Sequence, residues 1–289
     1  MSACAPLNKQ VLKFNFTCLF LVCTFFLISI PQSSWAYSYS TLQFNNEFEL
    51  IETRFGNPLV TGDPVVWGKN TVSLSLNLDS FDAPNRSGTS NQSISWNDAA
   101  LVSMEKWNAA RSIFFWEQDS FSNNFSICPV GVNDDGVNQI SWSDDNCGFG
   151  WGGDILALTQ INYLITESDG VARAEIVDIN ILVNKQRMWD AYDGTLQFHQ
   201  FGQPVYDIKR VLLHELGHGL GLTHPDENGQ DVTSIMHSRE SDTYNLTDDD
   251  KSGVSNLYPL PPSSSGGSFD FFVLLQLIVV LIFRFRASL

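Results

Sequence analysis

His214-Glu215-Leu216-Gly217-His218-Gly219-Leu220-Gly221-Leu222-Thr223-His224 is the stretch on which the reading of this chain turns. On a helix, residues four apart are stacked neighbours, so His214 and His218 present their imidazoles to one point. Glu215 follows the first histidine and is placed to hold a water rather than a metal ion. Gly221 adopts positive φ without a Cβ penalty, so the chain can turn there. That turn returns His224 as a third nitrogen ligand. Three neutral imidazoles leave one position of a tetrahedral zinc open, the arrangement of a catalytic rather than a structural site. The ion would acidify a water and polarise a carbonyl, with Glu215 as candidate general base. Two histidines four apart also occur by chance on polar helix faces. Gly221, His224 and the downstream Ser234-Ile235-Met236 weigh against chance, as does the fact that three of the five histidines fall in the motif.

Working outward, the pattern turns helical from Asp207, with Leu213, Leu216 and Leu220 spaced for a buried stripe. Upstream, residues 155–164 and 174–183 read as strands, as do 112–116 and the alternating Thr71-Val72-Ser73-Leu74-Ser75-Leu76-Asn77-Leu78. Asn97 or Asp98 is the candidate cap of an early helix in which Ala100, Met104, Trp107 and Arg111 share a face, with Leu101 and Trp107 inside. Residues 79–95 and 119–154 read as loops, and residues 37–62 as an N-terminal extension without a strong period. Short strands with an early and a late helix make an α+β domain. A loop as long as 119–154 points to function or to bound ions. Asp134, Asp135, Asp144, Asp145 and Asp154 are hard oxygen donors suited to Ca²⁺, although no fixed calcium-loop spacing appears and solvated surface acids are the alternative.

Both ends differ from the middle. In residues 1–36, Lys9 and Lys13 precede an apolar run over 16–30 and then Ser34-Trp35-Ala36, the pattern of a signal peptide with a cleavage site. An uncleaved anchor is the alternative, for which the run is short. Cys4, Cys18 and Cys23 lie within that segment, so Cys128 and Cys147 are the candidate disulfide of an exported body, with two free thiols as the alternative. A Pro/Ser/Gly linker over 261–268 leads to an apolar stretch and a basic end within 269–289. This tail resembles the GlyGly-type C-terminal sorting tails of Gram-negative bacteria, which implies a transient inner-membrane anchor and a cut near Gly266-Gly267. A GPI signal or a plain anchor are the other readings. The net charge is -16, with 32 acidic against 16 basic residues, and such a surface excludes nucleic acid as partner.

The three histidines, Gly221 and the Met236 turn together resemble the metzincin signature. Within that clan the chain is most similar to the matrixins and their bacterial relatives. Gly217 gives the HExGH form, residues 246–258 are similar to the family's closing helix, and Ile176-Val177-Asp178-Ile179-Asn180-Ile181 resembles the strand before the zinc helix. The likeness spans roughly 65–258, densest from 174. It implies a zincin-like catalytic domain over 63–260, with a mixed twisted sheet, an active-site helix and a C-terminal helix tied by a pair of aspartates to the active-site floor. It also implies a zinc metalloendopeptidase of protein or peptide substrates, bound as an added strand beside residues 155–164 and sorted by a pocket between Met236 and Tyr244. There are departures. Only His199 precedes the motif, so the family's second, structural zinc is not expected, and no cysteine-switch propeptide is present. Ser238 stands where other metzincins carry a tyrosine near zinc. A surface binding module or a structural zinc protein are the competing readings, and the intact Glu215 argues against both.

Overall fold

A computed structural model describes residues 38–44, 50–56, 64–80, 83–87, 94–119, 136–168 and 171–262. The expected signal peptide over 1–36, Cys128, Asp134, Asp135 and the tail over 269–289 lie outside the described residues, as does most of the 261–268 linker. Strands β1 (Ser38–Phe44) and β2 (Leu50–Gly56) form an antiparallel pair. Both fall in the N-terminal extension over 37–62, where no strong period marks a strand. Part of the ladder comes from far along the chain: Ser38 pairs with Thr223 and Tyr39 with Leu222. No local pattern announces such a partner.

The main sheet starts with β3 (Val66–Trp67) and β4 (Thr71–Asn77). Alternation in β4 sends Val72, Leu74 and Leu76 into the core, as a half-buried strand requires. Helix α1 (Trp96–Asn108) follows. Its cap is Ser95 rather than Asn97 or Asp98, because Ser95 and Asp98 form a reciprocal capping box that satisfies two otherwise unpaired N–H groups. Ala100, Met104 and Trp107 are buried, but Arg111 falls beyond the helix end with φ 52°, and Leu101 is only partly buried. Strand β5 (Phe115–Gln118) begins three residues later than the apolar run suggests. The Asn108 side chain sets that start by bonding both N–H and C=O of Trp116, at 2.7 and 2.8 Å.

The larger correction is β6 (Gln139–Ser143), which lies inside the presumed loop. It pairs in parallel with β4 on one side and with β8 (Val171–Asn184) on the other. The long strand β7 (Ala157–Ser168) runs antiparallel along β8, and among the described residues it pairs with no other strand. The sheet is therefore mixed, with the order β3-β8-β6-β4-β5 and β7 added along β8. A smaller sheet of β9 (Trp189–Asp190), β10 (Gln197–Phe198) and β11 (Pro204–Asp207) feeds directly into helix α2 (Ile208–Gly219). The two-residue strand β12 (Leu222–Thr223) and helix α3 (Asp248–Leu257) complete the α+β architecture.

Helix α2 is wedged between α1 and the sheet. Leu212, Leu213, Leu216 and Leu220 are fully buried, and truncating such a leucine to alanine costs about 2–5 kcal/mol. Polar pins fix its depth: Trp107 Nε1 donates to Leu213 O at 2.8 Å, Ser103 Oγ to Lys209 O at 2.8 Å, and Trp67 Nε1 to Gly219 O at 2.8 Å. All three carbonyls belong to α2, so the two indoles and the hydroxyl give it one rotation and one height.

Candidate active site

Asp207 starts α2. Its buried carboxylate accepts from the N–H groups of Lys209 and Arg210, and also from Tyr192 N–H. Burial raises its pKa, against the opposing pull of those N–H donors and the neighbouring Lys209 and Arg210 charges. The helix then delivers His214, Glu215 and His218. At its end Gly221 has φ 95°, and a Cβ there would stand 2.5 Å from Val65 O. Only glycine meets both demands. The turn brings back His224, and the three Nε2 atoms lie 3.0, 3.0 and 3.1 Å from one another.

The opposite ring nitrogens decide what that triangle can hold. His214 Nδ1 donates to Ile235 O and His218 Nδ1 to Leu222 O, both at 2.8 Å, while His224 Nδ1 faces Glu227 Oε2 at 3.0 Å. A carbonyl accepts only from N–H, so Nδ1 of His214 and His218 carries the proton and their Nε2 atoms present lone pairs. Lone pairs converging at 3 Å repel unless a cation joins them. Burial also pushes His214 down to about 4 and His218 well below its ordinary value, keeping the imidazoles in the neutral, metal-binding form. The spacing approaches the edge of about 3.3 Å expected for a tetrahedron with ~2.0–2.1 Å bonds, the geometry of zinc. Among the described residues, this is the only group of three or more potential ligands that meets at one point.

Met236 packs against Gly217 on the zinc-motif helix and is 3% exposed. A Cβ on Gly217 would meet its sulfur at 2.3 Å and Trp107 at 2.9 Å, so the glycine between the two helical histidines makes room for the methionine. Asp250, in the first turn of α3, fastens this layer. Its carboxylate accepts from the hydroxyls of Ser234 and Thr247 and from the N–H groups of Ile235, Met236 and Thr247.

A profile of the family described as Matrixin matches residues 97–259, more than half of the chain. The chain belongs to the matrixin family. A curated relative, the probable matrix metalloproteinase 095L of Invertebrate iridescent virus 3, is 36% identical over 83 residues. That stretch covers 28% of this chain and 20% of the viral protein, so the chain spans only a small part of that relative's length. Matrixins are zinc-dependent peptidases, and the donor set of this matrixin fits that metal.

Several residues that shape the site of this matrixin lie outside the motif. Thr159, on β7, donates from Oγ1 to Glu215 Oε2 at 2.7 Å and lies 3.0 Å from Glu215 O. Glu215 is buried, and desolvation raises its carboxyl to about 7 although the Thr159 hydroxyl pulls the other way. The Tyr258 hydroxyl accepts from Trp67 N–H at 3.2 Å and donates to Leu220 O at 2.9 Å, closing the C-terminal end of α2. A cavity of about 860 Å³ opens beside the histidines between β7 and the segment after Met236, reaching Val205, Arg210, Glu240 and Thr243.

Of the candidate calcium residues, Asp134 and Asp135 lie outside the described residues. Asp144 pairs with Lys185 at 3.6 Å, Asp145 accepts from Gly148 N–H at 3.0 Å, and neither these nor Asp154 joins a ligand group among the described residues. Cys147 is disulfide-bonded, and its expected partner Cys128 lies outside the described residues. Ser238 donates its hydroxyl to Asp226.

Proposed function

We propose that this matrixin is an exported zinc metalloendopeptidase in which His214, His218 and His224 hold the metal and Glu215 carries the proton. The observation that supports this best is the set of inward-facing Nε2 atoms beside a buried carboxylate that does not join them. Zinc, when bound, supplies a Lewis acid that acidifies water and polarises the scissile carbonyl.

The chain's own residues supply the rest. Glu215, raised toward neutrality by burial, takes a proton from the attacking water and gives it to the departing amine. Thr159 holds the carboxylate in orientation through Oε2, leaving Oε1 for that exchange. The edge of β7 that meets no strand among the described residues offers backbone N–H and C=O groups to an extended substrate, which would lie antiparallel along it. The signal segment over 1–36 and the tail over 269–289 support export and passage through a membrane-held form, and Cys128 is the proposed partner of Cys147.

Metal analysis of the purified chain alongside a peptide cleavage assay tests this reading. One zinc per chain is expected, with cleavage abolished by a chelator and restored by added Zn²⁺. Glu215→Gln should retain the zinc while kcat drops about 10²- to 10⁴-fold. A Glu215→Gln protein that cleaves peptides at the normal rate would remove the carboxylate from its role.

A further inference from the structure

The cavity beside the histidines is walled mostly by carbon, yet it carries a carboxylate with no hydrogen bond. Glu240 lines it, and its side chain is only 16% exposed. Oε1 is sealed from solvent without a hydrogen-bond partner, while Oε2 keeps the exposure the carboxylate has and accepts from no protein group. The nearest cation does not close the gap. Arg210, 3% exposed, commits Nη1 to Ser241 O at 2.8 Å and Nη2 to Gly194 O at 2.6 Å, and its closest approach to Glu240 Oε1 is 3.8 Å. That separation gives Coulomb attraction but lies outside hydrogen-bonding range. Native proteins seldom seal one oxygen of a carboxylate from water without giving it a donor, because the lost hydration is costly, and Oε2 is left as the acceptor that faces an arriving group. Desolvation accordingly raises this carboxyl to about 7. An acceptor held back by its own protein, in the wall of a cavity that also contains Glu215 and His218, is available to a ligand.

We infer that Glu240 is the specificity-determining residue of this cavity, selecting a substrate side chain beside the scissile bond that is long and ends in a hydrogen-bond donor. This rests on the peptidase reading above. An apolar side chain of the same length would fill the volume but leave Glu240 as deprived as before. A donor-ended side chain replaces the missing hydration with a charge-assisted bond in a low-dielectric setting.

Two pairs matched in chain length isolate the donor: lysine against homonorleucine, and glutamine against methionine, placed at each position flanking the cleaved bond of one peptide. With the zinc-loaded full chain, kcat/KM for the donor-ended member should exceed its apolar counterpart by about 10- to 100-fold at one position, the range for a hydrogen bond to a charged group. In Glu240→Leu the ratio should fall to about one or invert. Glu240→Gln, which keeps an acceptor oxygen, should retain the glutamine preference and lose most of the lysine preference. Equal cleavage of the paired peptides by the unaltered chain, or a ratio unmoved by Glu240→Leu, overturns the inference. Binding of the same peptides to the zinc-loaded Glu215→Gln chain, followed by calorimetry, separates the two proposals. If nothing is cleaved, the peptidase reading fails, while the binding ratio still decides for or against Glu240.

Discussion

The two ends of the cavity are built in opposite ways. At the histidine end every ring is tethered: each Nδ1 has an oxygen partner, Glu215 has Thr159, and the Met236 turn is held by three donors to Asp250, which Thr247 fixes with two more. At the far end Arg210 satisfies backbone carbonyls, while Glu240 in the same wall accepts nothing. Chemistry needs groups fixed to a fraction of an ångström, so its neighbours saturate them. Recognition needs a group whose bonding is completed only by the arriving molecule. The contrast separates the part of the site that is finished from the part that awaits substrate.

That contrast can be broken from either end. The largest effect belongs to His218→Ala, which removes one of three ligands: zinc content should drop below stoichiometry and hydrolysis fall to the background of the buffer. A variant that keeps both metal and turnover would mean the triangle is not the centre. Next comes Asp250→Ala. With several buried donors deprived of one acceptor, denaturant unfolding should show a loss of about 2–4 kcal/mol, whereas Glu240→Leu should cost little or nothing. Equal losses would erase the distinction between the two ends. Thr159→Val should lower kcat/KM about 10-fold with zinc content unchanged, since it frees Glu215 without touching a ligand. If metal is lost as well, Thr159 supports the ligands rather than the base.

The smallest effect is a slope against pH. Burial raises Glu240 from its ordinary 4.5 to about 7, so between those values the folded chain holds a proton that the unfolded chain releases. Glu240 therefore contributes stability to the metal-free protein that is lost as pH rises through that window; Glu215 acts in the same direction, and the lowered His214 and His218 act in the opposite one. Glu240→Gln removes the Glu240 contribution alone. Thermal unfolding between pH 4.5 and 7 should show the variant gaining in Tm relative to the unaltered chain as pH rises, and a constant difference would place Glu240 in water.

The sequence reveals the finished end better than the waiting one. Helix α2, its leucine stripe and the turn at Gly221 follow from spacing and glycine chemistry, and the Met236 segment from the resemblance to the metzincin signature. The misreadings have physical causes. Strand β6 is enclosed between two parallel neighbours, and Gln139 and Ser143 are buried with Ile140 and Trp142, so no polar–apolar alternation marks it. Strands β1 and β2 depend on a ladder with Leu222–Thr223, a long-range pairing that local propensity does not encode. The cap at Ser95 is displaced from Asn97 because Asn97 turns back to bond Leu78 N–H and Leu76 O. Thr159 and Glu240 carry no motif at all: an isolated hydroxyl and an isolated acid gain meaning only when the fold brings them to a helix and a cavity.

Tyr258 sets a boundary on how this protein can be trimmed. Its ring packs on Phe114 at 4.8 Å, and its hydroxyl bridges Trp67 and Leu220, so the last residue of the working body also serves as a clasp for the first strand of the main sheet. A cut at Gly266-Gly267 would fall downstream of the clasp and leave the body whole. Shortening by a further nine residues would remove Tyr258 and strip Trp67 N–H and Leu220 O of their partner, where α2 ends and the turn to His224 begins. A harmless cut and a damaging one are thus separated by a few residues of proline- and serine-rich spacer.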